Sequence, residues 1–363
     1  MNEFRLNTVT AVTDIAVVDL FCGVGGLTHG LRLAGLNVVA GIDIDESCEF
    51  PYEHNNRDVK FIKADVAEIS EDAISECYKG YSFKVLVGCA PCQPFSSYTF
   101  RYRKNGHTSE KWELLDSFND KVQIIKPHIV SMENVPELAK EKIFHRFIKS
   151  LENSGYKVSY SLVFCPDYGV PQNRKRLVLL ASRLGQINMI KPELTPENYR
   201  TVKQTIGCLP EIKSGEQDER DPLHWSAQLN DTNLKRIRQS KQGGTWRDWS
   251  EDLRLPCHRK ESGKTYASIY GRMSWDKPAP TITTQFYGYG NGRFGHPEQD
   301  RALSLREGAM LQSFPENYAF IEPGKTFNRH HVGTHIGNAV PVLLGKAIGK
   351  SITAHLTEVR DND

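Results

Sequence analysis

The first half of the chain alternates short, nearly continuous apolar runs with segments of helical periodicity, and this alternation restricts the fold more than any other feature. The apolar runs are Ala16–Phe21, Val38–Asp43, Val59–Asp65, Phe83–Cys89, His128–Glu133, Val158–Cys165 and Leu177–Ser182. Several lack polar alternation, as expected of strands buried on both faces. Between them, Leu114, Leu115, Phe118, Val122 and Ile125 share one helical face, and so do Ile143, Phe144, Phe147, Ile148 and Leu151. Repetition of strand, helix and strand predicts an α/β fold with a doubly wound, mostly parallel sheet. After Leu184 the pattern dissolves. Residues 185–285 carry Pro, Gly, Trp and charge with little periodicity, which predicts a second, smaller and irregular domain. Helical spacing returns over Leu303–Phe314 and Val342–Leu356. In the latter, Leu344, Ile348, Ile352 and Leu356 form an apolar stripe that must pack back on the first domain.

A chain of 363 residues suits about two domains and can bury a core without staples. No apolar stretch is long enough to span a bilayer, and Met1–Asp14 lacks the pattern of a secretory signal. A cytoplasmic protein without membrane attachment is expected. The net charge of +2 neither announces nor excludes a nucleic-acid partner, because distribution decides. Basic residues concentrate in Arg174-Lys175-Arg176 and between Lys235 and Lys264. The eight cysteines are scattered, which argues against a disulfide framework in such a compartment. Cys89 and Cys92 form one CxxC, but no second pair at similar spacing exists, so no metal site is expected.

The strand ends carry the chemistry, as they do in open α/β sheets. The first strand runs into Asp19-Leu20-Phe21-Cys22-Gly23-Val24-Gly25-Gly26-Leu27, a glycine-rich turn that opens a helix. Such a turn suits NAD, FAD or a nucleoside cofactor. The spacing departs from GxGxxG and points away from a dinucleotide. The second strand ends in Asp43, placed to accept hydrogen bonds from a ribose diol, and the third in Asp65, placed for an adenine amino group. A glycine turn and two acids on three consecutive strand ends argue for an adenosine-containing cofactor. Either acid alone would pass as a cap or turn residue.

The fourth strand leads into Gly88-Cys89-Ala90-Pro91-Cys92-Gln93-Pro94-Phe95-Ser96, where two prolines stiffen the loop around Cys92. The fifth ends in Glu133, a carboxyl group that can hold or donate a proton if partly desolvated. Arg174 and Arg176 alternate before the last strand and suit a carbonyl oxygen or a phosphate. One reaction employs all of these. Carbon C5 of a pyrimidine is a poor nucleophile until a thiolate adds to C6 and turns the ring into an enamine. Proton donation at N3 assists that addition, and an arginine at O2 stabilises the charge that develops there. On this reading Cys92 is the nucleophile and Cys89 is left as a packing residue.

At this point the chain resembles the cytosine-5 DNA methyltransferase family, in its bacterial modification type. The matching blocks, in the family's order, are DLFCGVGG, GIDID, KADV, GCAPCQPFS, ENV, QNRKR, RMSWDKPAPTITT and GNAVP. They span both ends of the chain and leave the middle unmatched. The resemblance implies the S-adenosylmethionine-dependent methyltransferase fold, with 1–184 plus 325–363 as the catalytic domain and 185–324 as the target-recognition domain. It implies Cys92 as the nucleophile, Glu133 at N3 and the exocyclic amine of cytosine, Arg176 at O2, and Arg174 supporting loop and base. For S-adenosyl-L-methionine it implies contacts from Phe21, Gly23, Gly25, Asp43, Ile44, Asp65, Val66, Pro91, Leu114, Asn338 and Val340. The family often has a second proline where this chain has Ala90.

The implied activity transfers a methyl group to C5 of a cytosine flipped out of a specific duplex DNA sequence, since C6 is unreachable inside the stack. A monomer is expected, with a cognate restriction endonuclease as a genetic partner. An RNA cytosine-5 methyltransferase of the same fold would keep the thiol and carboxylate, but the long middle region suits duplex reading. A non-catalytic cofactor- or DNA-binding relative would lose one of them, and a nicotinamide oxidoreductase would leave the cysteine and arginine blocks without a role. Within the middle region, Gly243–Asp248, His258-Arg259-Lys260 and Gln285–Arg293 are polar, basic or aromatic enough to meet phosphates and base edges. The target sequence does not follow from them.

Overall fold

The computed structural model describes residues 14–91, 113–261 and 269–362. All seven apolar runs form strands: β1 (Ile15–Leu20), β2 (Val38–Asp43), β3 (Lys60–Lys63), β4 (Phe83–Gly88), β5 (Ile129–Asn134), β6 (Lys157–Phe164) and, after the two-residue β7 (Gln172–Asn173), β8 (Lys175–Ser182). They build one sheet in the order β3-β2-β1-β4-β5-β8-β6. The order reverses between β1 and β4, the place where ligands collect in doubly wound sheets. Neighbours are parallel from β3 to β5, whereas β8 runs antiparallel to both β5 and β6. The sheet is therefore mostly parallel, as expected, with one reversed strand inserted near its edge.

Burial follows the sequence pattern except at that edge. β1 and β5 are buried along their whole length. By contrast β6 has a neighbour on one side only and leaves Tyr160 and Leu162 exposed. The helix Glu113–Ile125 buries Leu115, Phe118, Val122 and Ile125, and the helix Lys142–Asn153 buries Ile143, Phe144, Phe147 and Leu151. These side chains join Val18, Leu20, Leu86, Val130 and Met132 of the sheet in one core. Each fully buried Leu, Ile or Phe contributes about 1.5–3 kcal/mol of transfer free energy.

The helix Val342–Asn362 buries the expected stripe, Leu344, Ile348, Ile352 and Leu356. It packs on the helix that follows β1, Gly26–Leu33, so closely that only glycine fits at position 30. A Cβ there would stand 2.2 Å from the carbonyl oxygen of Val342 and 2.6 Å from the amide nitrogen of Lys346. The same helix is tied to β8 by Ser182, whose hydroxyl lies 2.7 Å from His355 Nε2.

Compactness divides the chain into two units. One holds the described residues of Met1–Phe164, Lys175–Pro192 and Val340–Asp363, the other Cys165–Arg174 and those of Glu193–Ala339. These limits differ from the boundaries read from the sequence. Residues 165–174 and 325–339 go with the second unit, and 185–192 with the first. Its elements are few and short, among them the helices Asp231–Gln239, Leu305–Leu311 and Arg329–Asn338 and a two-stranded ladder of β7 with β9 (Ala279–Pro280). Side chains make up for the missing periodicity. Trp246, Trp249, Ile237, Leu253 and Tyr289 form its aromatic-rich core. Beside it Arg301 and Glu307, both almost fully buried, meet through two hydrogen bonds of 2.8 and 2.7 Å. Ser304 and Glu307 cap the helix Leu305–Leu311 reciprocally. No helix among the described residues is long and apolar enough to cross a membrane.

Candidate active site

The first unit carries two groups of predicted residues at the carboxyl ends of its central strands. Beyond β1, Phe21 has a positive φ of 60°, rare for a side-chain-bearing residue, and Gly23 and Gly25 follow with φ of 50° and 87°. Gly25 ends this turn as N-cap of the helix Gly26–Leu33, which has no side-chain cap on its amides. Asp43 holds the turn in place: its Oδ2 accepts from the Gly23 amide at 2.8 Å and its Oδ1 from the Asp45 amide at 3.0 Å. Next to it Ile44 is 65% exposed, an apolar side chain left open among the described residues. Asp65 accepts from the Ala67 amide at 2.8 Å, and Val66 is buried. Phe21 is half-buried, Pro91 exposed and Leu114 half-buried, while Val340 is buried at the start of the C-terminal segment. Asn338 is exposed at the end of its helix in the second unit. A strained turn, an exposed apolar surface and acids with spare lone pairs fit an adenosine moiety.

Beneath the turn lies Asp19, which the sequence reading passed over. It is buried; Thr28 Oγ1 donates to its Oδ2 at 2.7 Å, while Oδ1 has no hydrogen-bond partner among the described residues. Tyr52 shares the Thr28 hydroxyl at 2.8 Å. Burial pushes the Asp19 carboxyl up to about 7, against the hydrogen bond from Thr28. Burial also pushes the thiols of Cys22 and Cys48 up, which removes both as nucleophiles near neutral pH.

The second group surrounds Glu133. It is the penultimate residue of β5, its side chain is 3% exposed, and Arg176 of β8 sits 2.9 Å from Oε1 through Nε. The approach is an ion pair and not an aligned hydrogen bond. The antiparallel register explains the encounter: Glu133 lies opposite Val178, so Arg176 is two residues along on the same face. On the other side Cys89 Sγ donates to Oε2 at 2.9 Å. Strands β4 and β5 are parallel neighbours with Gly88 opposite Met132, which brings residues 89 and 133 together. Asn134 completes the joint by donating Nδ2 to the Ala90 carbonyl at 3.0 Å. Cys92 lies outside the described residues, two positions beyond this joint.

Arg174 does not share the setting of Arg176. It belongs to the second unit, is buried, and gives its donors to the carbonyls of Ile282 at 2.9 Å and Gly337 at 3.5 Å. Strand alternation had placed the two guanidinium groups on one side, but regular pairing begins only at Lys175. Cys89 is likewise more than a packing residue. The sequence offered a signal for it, since a residue at the end of β4 must neighbour one at the end of β5. In the second unit, Trp246, His258, Phe286 and Tyr289 are buried, and Trp246 stacks on His258 at 4.3 Å. These serve the core, leaving Arg247, Arg259 and Lys260 as the exposed basic members of the predicted contact segments.

The C-5 cytosine-specific DNA methylase family matches residues 15–354. The type II methylase M.HgiDII of Herpetosiphon aurantiacus is 55% identical over 344 residues, covering 94% of this chain and 96% of that one. The type II methyltransferase M1.HphI of Haemophilus parahaemolyticus is 30% identical over 93% of this chain and 87% of its own length. Among solved structures, a chain described as a DNA modification methyltransferase of an Escherichia coli prophage aligns with a TM-score of 0.70 at 20% identity, over 94% of this chain and 99% of that one. The DNMT2 structure of Spodoptera frugiperda aligns with a TM-score of 0.63 at 16% identity, over 93% and 99%.

Proposed function

The chain belongs to the C-5 cytosine-specific DNA methylase family and is a DNA cytosine-5 methyltransferase acting on double-stranded DNA, and from that premise we propose how its own residues carry the reaction. Members of this family use S-adenosylmethionine, which when bound supplies an electrophilic methyl group. Phe21, Gly23, Gly25, Asp43, Ile44, Asp65, Val66, Pro91, Leu114, Asn338 and Val340 would hold it. In support, the Gly23 turn is pinned by Asp43 and Ile44 is left uncovered beside it.

Cys92 adds through sulfur to C6 of a cytosine flipped out of the duplex; the C5=C6 π pair shifts to C4–C5 and the C4=N3 π pair moves onto N3. Glu133 holds a proton at N3, so the adduct forms as a neutral enamine. Arg176 stands at O2 and stabilises the charge that develops there. Arg174 supports the turn that carries Arg176. Once C5 is alkylated, loss of its proton and elimination of the thiolate restore aromaticity and free Cys92. What supports these roles is the Glu133–Arg176 pair at 2.9 Å, an acid from the strand beside the one that leads to Cys92 and a guanidinium from the next strand over.

The second unit reads the sequence around the target in this account, and the protein works as a cytoplasmic monomer whose genetic partner is a restriction endonuclease. Methylating a random DNA pool and sequencing it after bisulfite conversion tests the proposal. A single protected cytosine within a fixed motif is expected; uniform conversion would contradict it.

A further inference from the structure

The carboxylate of Glu133 is held at both oxygens before any base arrives. Arg176 takes Oε1, and the Cys89 thiol donates to Oε2 at 2.9 Å. The terminal torsion of a glutamate side chain is broad and two-fold, so one partner leaves the carboxylate plane free to turn. An ion pair at one oxygen and a thiol hydrogen bond at the other restrain it from two sides. The contact is built by the topology: β4 and β5 are parallel neighbours, and the next side chain, Asn134, grips the carbonyl of the residue after Cys89.

We propose that Cys89 is a positioning residue for Glu133, its thiol holding Oε2 in the orientation that meets the flipped cytosine. This rests on the assignment of Glu133 to N3 and the exocyclic amine. A thiol suits the task because it is a weak donor. It orients the carboxylate in the free enzyme and yields Oε2 to the stronger amine donor of the base at little cost. No bond is made or broken at Cys89. Its thiol hydrogen stays on sulfur throughout, and the nucleophile remains Cys92.

The test compares Cys89→Ala and Cys89→Ser, alone and combined with Glu133→Gln, in single-turnover methylation of a duplex carrying the target site. Cofactor binding and DNA binding are measured in parallel. Cys89→Ala should slow the methylation step about tenfold, equal to about 1.4 kcal/mol, while both affinities stay within about twofold of wild type. Cys89→Ser keeps a donor and should recover the rate to within about threefold. In the Glu133→Gln background, Cys89→Ala should cost less than about twofold, because the group it acts through is gone. A wild-type rate for Cys89→Ala, no rescue by serine, or an equal loss in both backgrounds would overturn the proposal. A Glu133→Gln variant that methylates normally would instead remove the role of Glu133, and with it that of Cys89. Should Cys89→Ala fail to fold, the infrared S–H band decides. It is expected at the lower frequency of a bonded thiol in wild type and shifted toward the free value in Glu133→Gln; an unshifted band in wild type refutes the contact.

Discussion

Glu307→Gln should destabilise the second unit by about 3 kcal/mol at neutral pH, and two routes lead to that figure. Glu307 and Arg301 are each about 1% exposed at the side chain and meet through two hydrogen bonds, so neither charge has water to fall back on. Removing one partner of such a pair strands the other and costs roughly 3–5 kcal/mol. Titration gives a similar number. Burial alone would raise the Glu307 carboxyl, but the charge and hydrogen bonds of Arg301, together with His296 and the Ser304 amide, outweigh it and the value falls from the ordinary 4.5 to about 2. At about 1.4 kcal/mol per pH unit this is roughly 3 kcal/mol. The sign follows from the depression: the contribution is complete above about pH 4.5 and disappears as pH falls through about 2. Urea unfolding followed by tryptophan fluorescence reports it, since Trp246 and Trp249 lie in the core of this unit. With a slope of about 2 kcal/mol per molar urea, the midpoint should drop by about 1.5 M. At pH 3.5 the gap between wild type and variant should narrow by about 1 kcal/mol. A loss below about 1 kcal/mol at pH 7, or a gap independent of pH, would refute the reasoning.

Three further outcomes follow from the packing and the site. Gly30→Ala places a methyl group against the backbone of Val342 and Lys346, and should lower stability by about 1–3 kcal/mol and weaken S-adenosylmethionine binding, checked by thermal unfolding and calorimetry. Asp19→Asn removes a carboxyl that burial pushes up to about 7. A raised acid is harmless below its ordinary value of 3.8 and costs stability as pH rises through about 7, so the variant should match wild type at pH 4 and exceed it at pH 8; equal melting temperatures at pH 8 would contradict this. Cys92→Ser should bind cofactor and target DNA normally but transfer no methyl group, as measured by tritium incorporation.

Much of the first unit was legible because its strands are buried on both faces, which leaves continuous apolar runs. The reversal of β8 was not legible, since a strand's direction depends on the turn before it and an apolar run reads the same either way. The exposed edge at Tyr160 and Leu162 escaped for a similar reason: apolar content does not say whether a strand has one neighbour or two. In the candidate site, Glu133 and Arg176 could be chosen one by one, but their contact depends on the antiparallel register, which no local pattern encodes. The role of Cys89 is hidden in the sequence because its spacing to Cys92 is a pattern along the chain, whereas its contact with Glu133 runs across the sheet. The burial of Asp19 is likewise hidden, because a strand-end acid has the same sequence signature whether exposed or buried. The second unit was least legible: its core rests on tryptophans scattered without periodicity and on the Arg301–Glu307 pair, whose residue types are mostly found at surfaces.

The most direct test of the central claim uses duplex DNA carrying 5-fluorocytosine at the target position, incubated with the protein and S-adenosylmethionine. Fluorine cannot leave C5 as a proton does, so the adduct at C6 should persist. A denaturation-resistant protein–DNA complex is expected, with the cross-link mapped by mass spectrometry to Cys92 and absent in Cys92→Ser. A cross-link at another residue, or none on DNA that the protein methylates when it carries cytosine, would contradict the account.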